Sequence, residues 1–112
     1  MEARYIQTGN AVDYTPAADV KAGDVIVQGE LVGVVKLDIQ ANKLGALHIT
    51  GNFDFPKAVG AGSAIAVGTP VYWDAAEKVA KADAEAGANK LIGKTIKAAT
   101  DSDAFVRANL SQ

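Results

Sequence analysis

The sequence predicts an all-β protein: a small single-domain β-barrel or jelly-roll-like sandwich of short antiparallel strands, with an extended N-terminal segment. Two observations lead there. Clusters of β-branched and aromatic residues recur at short intervals between Gly, Pro, Asn and Asp, the residues of tight turns. Several of these clusters alternate apolar with polar residues, the period of a strand that buries one face. A chain of 112 residues buries roughly 60–70% of its unfolded surface, enough for one core and not for two.

From the N-terminus, residues 1–15 contain Tyr5, Ile6, Val12 and Tyr14, interrupted by Gly9-Asn10 and followed by Thr15-Pro16, which favours extended backbone. This segment is either a projecting arm or the first hairpin of the domain, and the globular body is expected over residues 16–112. Val25 and Val27 alternate with Asp24 and Gln28, Leu47 and Ile49 with His48 and Thr50, and Phe53 and Phe55 with Asn52 and Asp54. At the C-terminus Ala104, Val106, Ala108 and Leu110 share one parity and Arg107, Asn109 and Ser111 the other, with Phe105 as the exception. Gly23, Gly29, Gly33, Gly51, Pro56 and Gly60-Ala61-Gly62 punctuate these strands as hairpin turns or bulges. A weak internal echo links Val20-Lys21-Ala22-Gly23-Asp24-Val25-Ile26 to Ile65-Ala66-Val67-Gly68-Thr69-Pro70-Val71, as though one β-motif were used twice.

Asp74 to Ala88 is rich in helix formers and ends at Gly87. Its one large apolar residue is Val79, so a helix there would have little to bury, and helices in proteins depend mainly on packing. The expectation is a hairpin: a strand over 71–74, a turn at Ala75-Ala76-Glu77, a return strand over 78–81, then a loose acidic loop.

Eleven basic and thirteen acidic residues give a net charge of −2, which supplies no excess of cations to neutralise a phosphate backbone and argues against nucleic acid as a partner. The absence of cysteine excludes disulfides and thiolate sites. No apolar run reaches signal-peptide or membrane-span length, so the chain is expected to be made in the cytoplasm and to have no membrane partner.

Two segments imitate known sites. Gly87-Ala88-Asn89-Lys90-Leu91-Ile92-Gly93-Lys94-Thr95 resembles a phosphate-binding loop, but it has one residue too many between its glycines and no capped helix after it. The glycine-spaced run from Ala22 to Val35 resembles the turns of biotinyl and lipoyl carrier domains, yet no hairpin tip presents a lysine in the required setting. A carrier or binding module of that type is the alternative function. His48 stands alone, opposite in parity to Leu47 and Ile49, and is expected to face solvent or an interface. Ser63, Ser102 and Ser111 lack a nucleophile motif, and Asp101 and Asp103 read as a solvated turn. No catalytic, cofactor-binding or metal-binding residue is expected, and no enzyme.

The ordered set Val12-Asp13-Tyr14-Thr15-Pro16, Val20-Lys21-Ala22-Gly23-Asp24-Val25, Val32-Gly33-Val34, Gly45-Ala46-Leu47, Gly51-Asn52-Phe53-Asp54-Phe55-Pro56, Gly68-Thr69-Pro70-Val71-Tyr72-Trp73-Asp74 and Leu91-Ile92-Gly93 resembles the capsid cement, or decoration, proteins of tailed bacteriophages. The similarity runs from about Tyr5 to Leu110. It implies a structural protein of the virion, an oligomer (homotrimer or homodimer) on the outer capsid surface that clamps neighbouring copies of the major capsid protein. Tyr5, Ile6, Val12 and Tyr14 in the N-terminal segment, and the aromatic group Phe53, Phe55, Tyr72 and Trp73, are the expected capsid or oligomer contacts. The competing assignment for the aromatic group is core.

Overall fold

The computed structural model describes residues 2–6 and 9–112; the parts of the predicted arm at Met1, Gln7 and Thr8 lie outside the described residues. Among these residues nine strands follow one another: β1 (Ala11–Tyr14), β2 (Val25–Gln28), β3 (Leu31–Val34), β4 (Gly45–His48), β5 (Gly51–Pro56), β6 (Pro70–Asp74), β7 (Val79–Lys81), β8 (Lys90–Thr95) and β9 (Phe105–Leu110). Strand occupies 42% of the described residues and helix 3%, as the turn spacing predicts. They form two antiparallel sheets, of order β1-β4-β3-β2 and β5-β9-β8-β6-β7, and neither closes into a barrel. Of the two expected forms, the sandwich is the one that forms.

The alternating patterns place the core. Phe55, Val106, Ala108 and Leu110 are fully buried while their neighbours Asn52, Asp54, Arg107 and Asn109 are exposed, because β5 and β9 pair in the register Phe55 opposite Val106 and Asp54 opposite Arg107. With Val32, Val34, Ile65, Val71, Trp73, Ala80 and Ile92 they make the main core, where β3 packs across β8. A second, smaller cluster of Val35, Ile39 and Leu47 gathers Val12, Tyr14, Val20, Ile26 and Ile49. The C-terminal Gln112 completes β3 from the side: its Nε2 donates to Val32 O and its Oε1 accepts from Val32 N–H, both at 2.7 Å, as a neighbouring strand would.

The internal echo is structural. Val20 and Ile39 exchange two backbone hydrogen bonds (both 2.9 Å), Gly23 N–H donates to Val35 O (2.6 Å) and Val35 N–H to Asp24 O (2.9 Å). The same four bonds recur with Ile65 and Ala99 (2.9 and 2.8 Å), Gly68 to Thr95 (2.9 Å) and Thr95 to Thr69 (3.0 Å), at a constant step along each limb. The sheet orders correspond as well, with β1, β4, β3 and β2 matching β5, β9, β8 and β6. One four-stranded motif is therefore built twice, and the second copy carries an extra edge strand, β7.

Residues 74–88 form the hairpin that Val79 suggests rather than the helix that propensity favours. Asp74 Oδ1 accepts the N–H groups of Ala76 and Glu77, each at 3.0 Å, so the side chain that ends β6 also shapes the turn. The return strand starts at Val79, one residue later than expected, because Lys78 adopts a left-handed conformation (φ 58°) to close the turn. The expected loose loop is instead tied down. A 3-10 turn at Glu85–Gly87 is held by Asn89, whose Nδ2 donates to Asp83 O at 2.9 Å and to Glu85 Oε2 at 2.6 Å.

Candidate interaction surface

The charged side chains that cluster hold turns or, in the case of Asp54 and Arg107, pair across neighbouring strands. Asp74, Glu77 and Glu85 come close enough to resemble a metal site, but Lys81 Nζ sits among them, 2.9 Å from Asp74 Oδ2, in contact with Glu77 and 3.5 Å from Glu85. The ammonium supplies the cation. The Glu77 backbone N–H, followed by Lys81, holds the Asp74 carboxyl far below the usual range, and Glu77 and Asp74 in turn raise Lys81. Asp103 is lowered by the Thr100 backbone N–H, and Asp54 by the Arg107 guanidinium, which it meets at 2.9 and 3.2 Å.

These shifts set the expected pH dependence. All three aspartates bind protons less readily folded than unfolded, so their contribution is complete above the unfolded carboxylate range and is lost as pH falls through it towards the folded values. Thermal unfolding followed by circular dichroism should give a midpoint nearly constant from neutral pH to about 5 and falling steadily below about pH 4. An unchanged midpoint at pH 3 would show that these three carboxylates carry no stability. For Lys81 the sign reverses, and its contribution is lost only above the ordinary lysine range of about 10.4.

The segments that imitate known sites fold as framework. Lys90 to Thr95 is strand β8, with no helix following it, and Lys90 Nζ donates to Gly87 O at 2.9 Å. The β2–β3 turn of the carrier-like run has Gly29-Glu30 at its tip and no lysine there. Asp101 Oδ1 accepts Ala64 N–H (2.8 Å) and Asp103 Oδ2 accepts Thr100 N–H (2.8 Å), the turn role expected of them. His48 is half-buried beside Leu37 and Leu44 in a shallow groove of about 310 Å³.

The eight residues expected to make contacts fall in separate places. Tyr5 and Ile6 project from the N-terminal segment, 80% and 73% exposed. Val12 and Tyr14 lie half-buried in β1 against the smaller core cluster. Phe53, Phe55 and Trp73 form a chain of rings, with centroids 6.1 and 6.3 Å apart. Phe55 and Trp73 are 1% and 5% exposed and act as core, which leaves Phe53 and Tyr72 as the members of the aromatic group with surface to offer. Tyr72 lies on the opposite side of β6 from Trp73, in a hollow of about 470 Å³ with Pro70, Leu91, Lys94 and Asn109.

Sequence reasoning did not single out several exposed apolar side chains as surface: Leu37 and Leu44 in the β3–β4 connection, Leu91 and Phe105 on the five-stranded sheet, and Ile96 just after β8. For Phe105 a signal existed, since it shares parity with the exposed Arg107 and Asn109. For Leu91 none did, because an irregularity in the β6–β8 pairing between Val71 and Tyr72 breaks the alternation there. Among the described residues no helix is long and apolar enough to cross a membrane.

No curated protein and no solved structure matches the chain significantly. The family described as phage cement protein matches residues 6–110, from the exposed end of the N-terminal segment through all nine strands, and the chain belongs to that family.

Proposed function

We propose that the protein is a structural cement that binds the outer surface of an assembled phage head as an oligomer and strengthens contacts between major capsid subunits. The family match over residues 6–110 carries this reading. Binding confined to the assembled lattice stabilises it by RT ln(1 + [L]/Kd) per site, and oligomerisation multiplies weak contacts through effective concentration. Exposed Ile6, Leu37, Leu44 and Phe105 supply apolar contact area for such binding. Heads assembled without the protein should form but rupture and release DNA at lower temperature than decorated heads. Equal rupture temperatures, measured by DNA-dye release on a thermal ramp, would overturn the proposal.

The N-terminal segment is the proposed arm, contributing to these contacts by extended pairing, with Tyr5 and Ile6 as anchors. Its residues 2–6 are exposed and lie outside any strand. Deleting residues 2–10 leaves β1 in place and tests the arm: retained folding with lost head binding supports it, and lost folding or full binding refutes it.

A further inference from the structure

The duplicated motif shows where a strand is lacking. In the five-stranded sheet β6 is flanked by β8 on one side and β7 on the other, whereas among the described residues its counterpart β2 is flanked by β3 alone and forms the edge of its sheet. The side groups of β2 are oriented by its register. Val27 stands opposite Val32, and the Val32 N–H and C=O point away from β2, to Gln112. The Val27–Val32 pair, and by alternation Val25–Val34, are therefore the non-hydrogen-bonded pairs of the hairpin, which directs the N–H and C=O of Val25 and Val27 outward from the sheet. That edge opens into a cleft of about 530 Å³ whose opposite wall is formed by Pro56, Trp73, Ala75 and Lys78 of the other sheet. Val25 and Val27 are only half-buried, although both pack against the main core. An unpaired edge over an apolar floor is a template for a further strand.

We propose that the free edge of β2 receives the N-terminal arm, residues 2–6, of a second copy of this chain, as an added strand in the place that β7 fills in the duplicate motif. The inference rests on the arm reading above and names the arm's acceptor. The arm is exposed and belongs to no strand, and it precedes β1, which is the opposite edge of the same sheet. Donor and acceptor on opposite edges permit a head-to-tail contact, which closes into a ring when the rotation between copies allows it, as well as a reciprocal exchange of arms between two copies. The charges also match in kind: the arm carries Glu2 and Arg4, and the cleft is bordered by Asp24 and Lys78. Alternate arm side chains would cover Trp73 and Pro56 while the backbone pairs with Val25 and Val27.

Because the chain has no cysteine, disulfide trapping gives a clean test. One set of variants carries Glu2→Cys, Ala3→Cys or Arg4→Cys, and the other carries Gln28→Cys at the exposed end of β2. Each arm variant is mixed with Gln28→Cys and oxidised, both free at high concentration and on decorated heads, with Asn52→Cys on the exposed face of β5 as the control acceptor. At least one arm position should give about tenfold more heterodimer with Gln28→Cys than with Asn52→Cys, since docking raises the local thiol concentration to the millimolar range. A chain carrying both cysteines that closes on itself when diluted among cysteine-free chains would overturn the proposal, by showing that the arm covers its own edge. Trapping no better than the control, while deletion of residues 2–10 still abolishes head binding, would also overturn it, leaving the arm reading intact with the capsid protein as acceptor. If that deletion leaves binding unchanged, the arm reading itself fails.

Discussion

Replacing Gly93 with alanine is expected to destabilise the protein by about 3 kcal/mol or more, near the upper end of what overpacking in a well-ordered interior costs. Gly93 is buried in β8 between two strands, opposite Val71 of β6 and Leu110 of β9. A Cβ built there would fall within the van der Waals envelope of the Asn109 carbonyl oxygen and 3.1 Å from Ser111 N, and its φ of 153° is one that side chains rarely adopt. Both obstacles are backbone, which cannot swing aside as a side-chain tip can. Relief requires separating β8 from β9, the strand that carries Val106, Ala108 and Leu110 into the core. Gly29→Ala is the matched control. Its φ is also left-handed, at 62°, but nothing lies within 4 Å, so the cost should be only about 1 kcal/mol. Urea unfolding of the two variants checks the difference, and a Gly93→Ala midpoint equal to that of Gly29→Ala would show that the sheet yields at this point.

Lys57→Met should cost about 2–3 kcal/mol, even though it replaces a buried charge with an apolar side chain of similar length. Lys57 is 4% exposed and follows directly on β5. Its Nζ donates to the carbonyls of Ala58 (2.7 Å) and Asp103 (2.9 Å) and to Ser63 Oγ (3.3 Å), joining the loop after β5 to the turn before β9. Methionine fills the volume but leaves these acceptors without their donor, and a buried unsatisfied polar group costs about 1–3 kcal/mol. Hydrogen exchange localises the effect: the amides of Ser63, Ala64 and Asp103, which close the same pair of turns, should lose protection before those of β8. Uniform protection across the variant would mean that the lysine is not what joins the loops.

The arrangement of strands was legible wherever one face is buried and the other wet. Phe53-Asp54-Phe55 and the stretch from Val106 to Leu110 declare their inward parity in composition alone, because a strand slipped by one residue would expose its whole apolar set. Val79 likewise outweighed the helix propensity around it, since propensity without an apolar face has no packing to sustain it. The aromatic group was not resolved in the same way. Trp73 and Tyr72 are adjacent residues on one strand, and alternation puts one in the core and the other on the surface without saying which. That choice came from the partner strands, which bring Trp73 against Phe55.

Sequence by itself determined the all-β class, the antiparallel hairpins, the absence of cysteine chemistry and the resemblance to phage cement proteins. It also carried the trace of a repeated motif at Gly23 and Gly68, where the chain turns into equivalent strands. Only the tertiary structure decided that the motif is a whole four-stranded sheet built twice, that Lys57 is buried and Lys81 bridges three carboxylates, and that β2 is left as an open edge beside a cleft. The physical reason is range. Turn chemistry and strand parity act over a few neighbouring residues and are written locally, whereas strand order, edge exposure and the partners of a buried ammonium depend on residues far apart in the chain that meet only when the sheets pack.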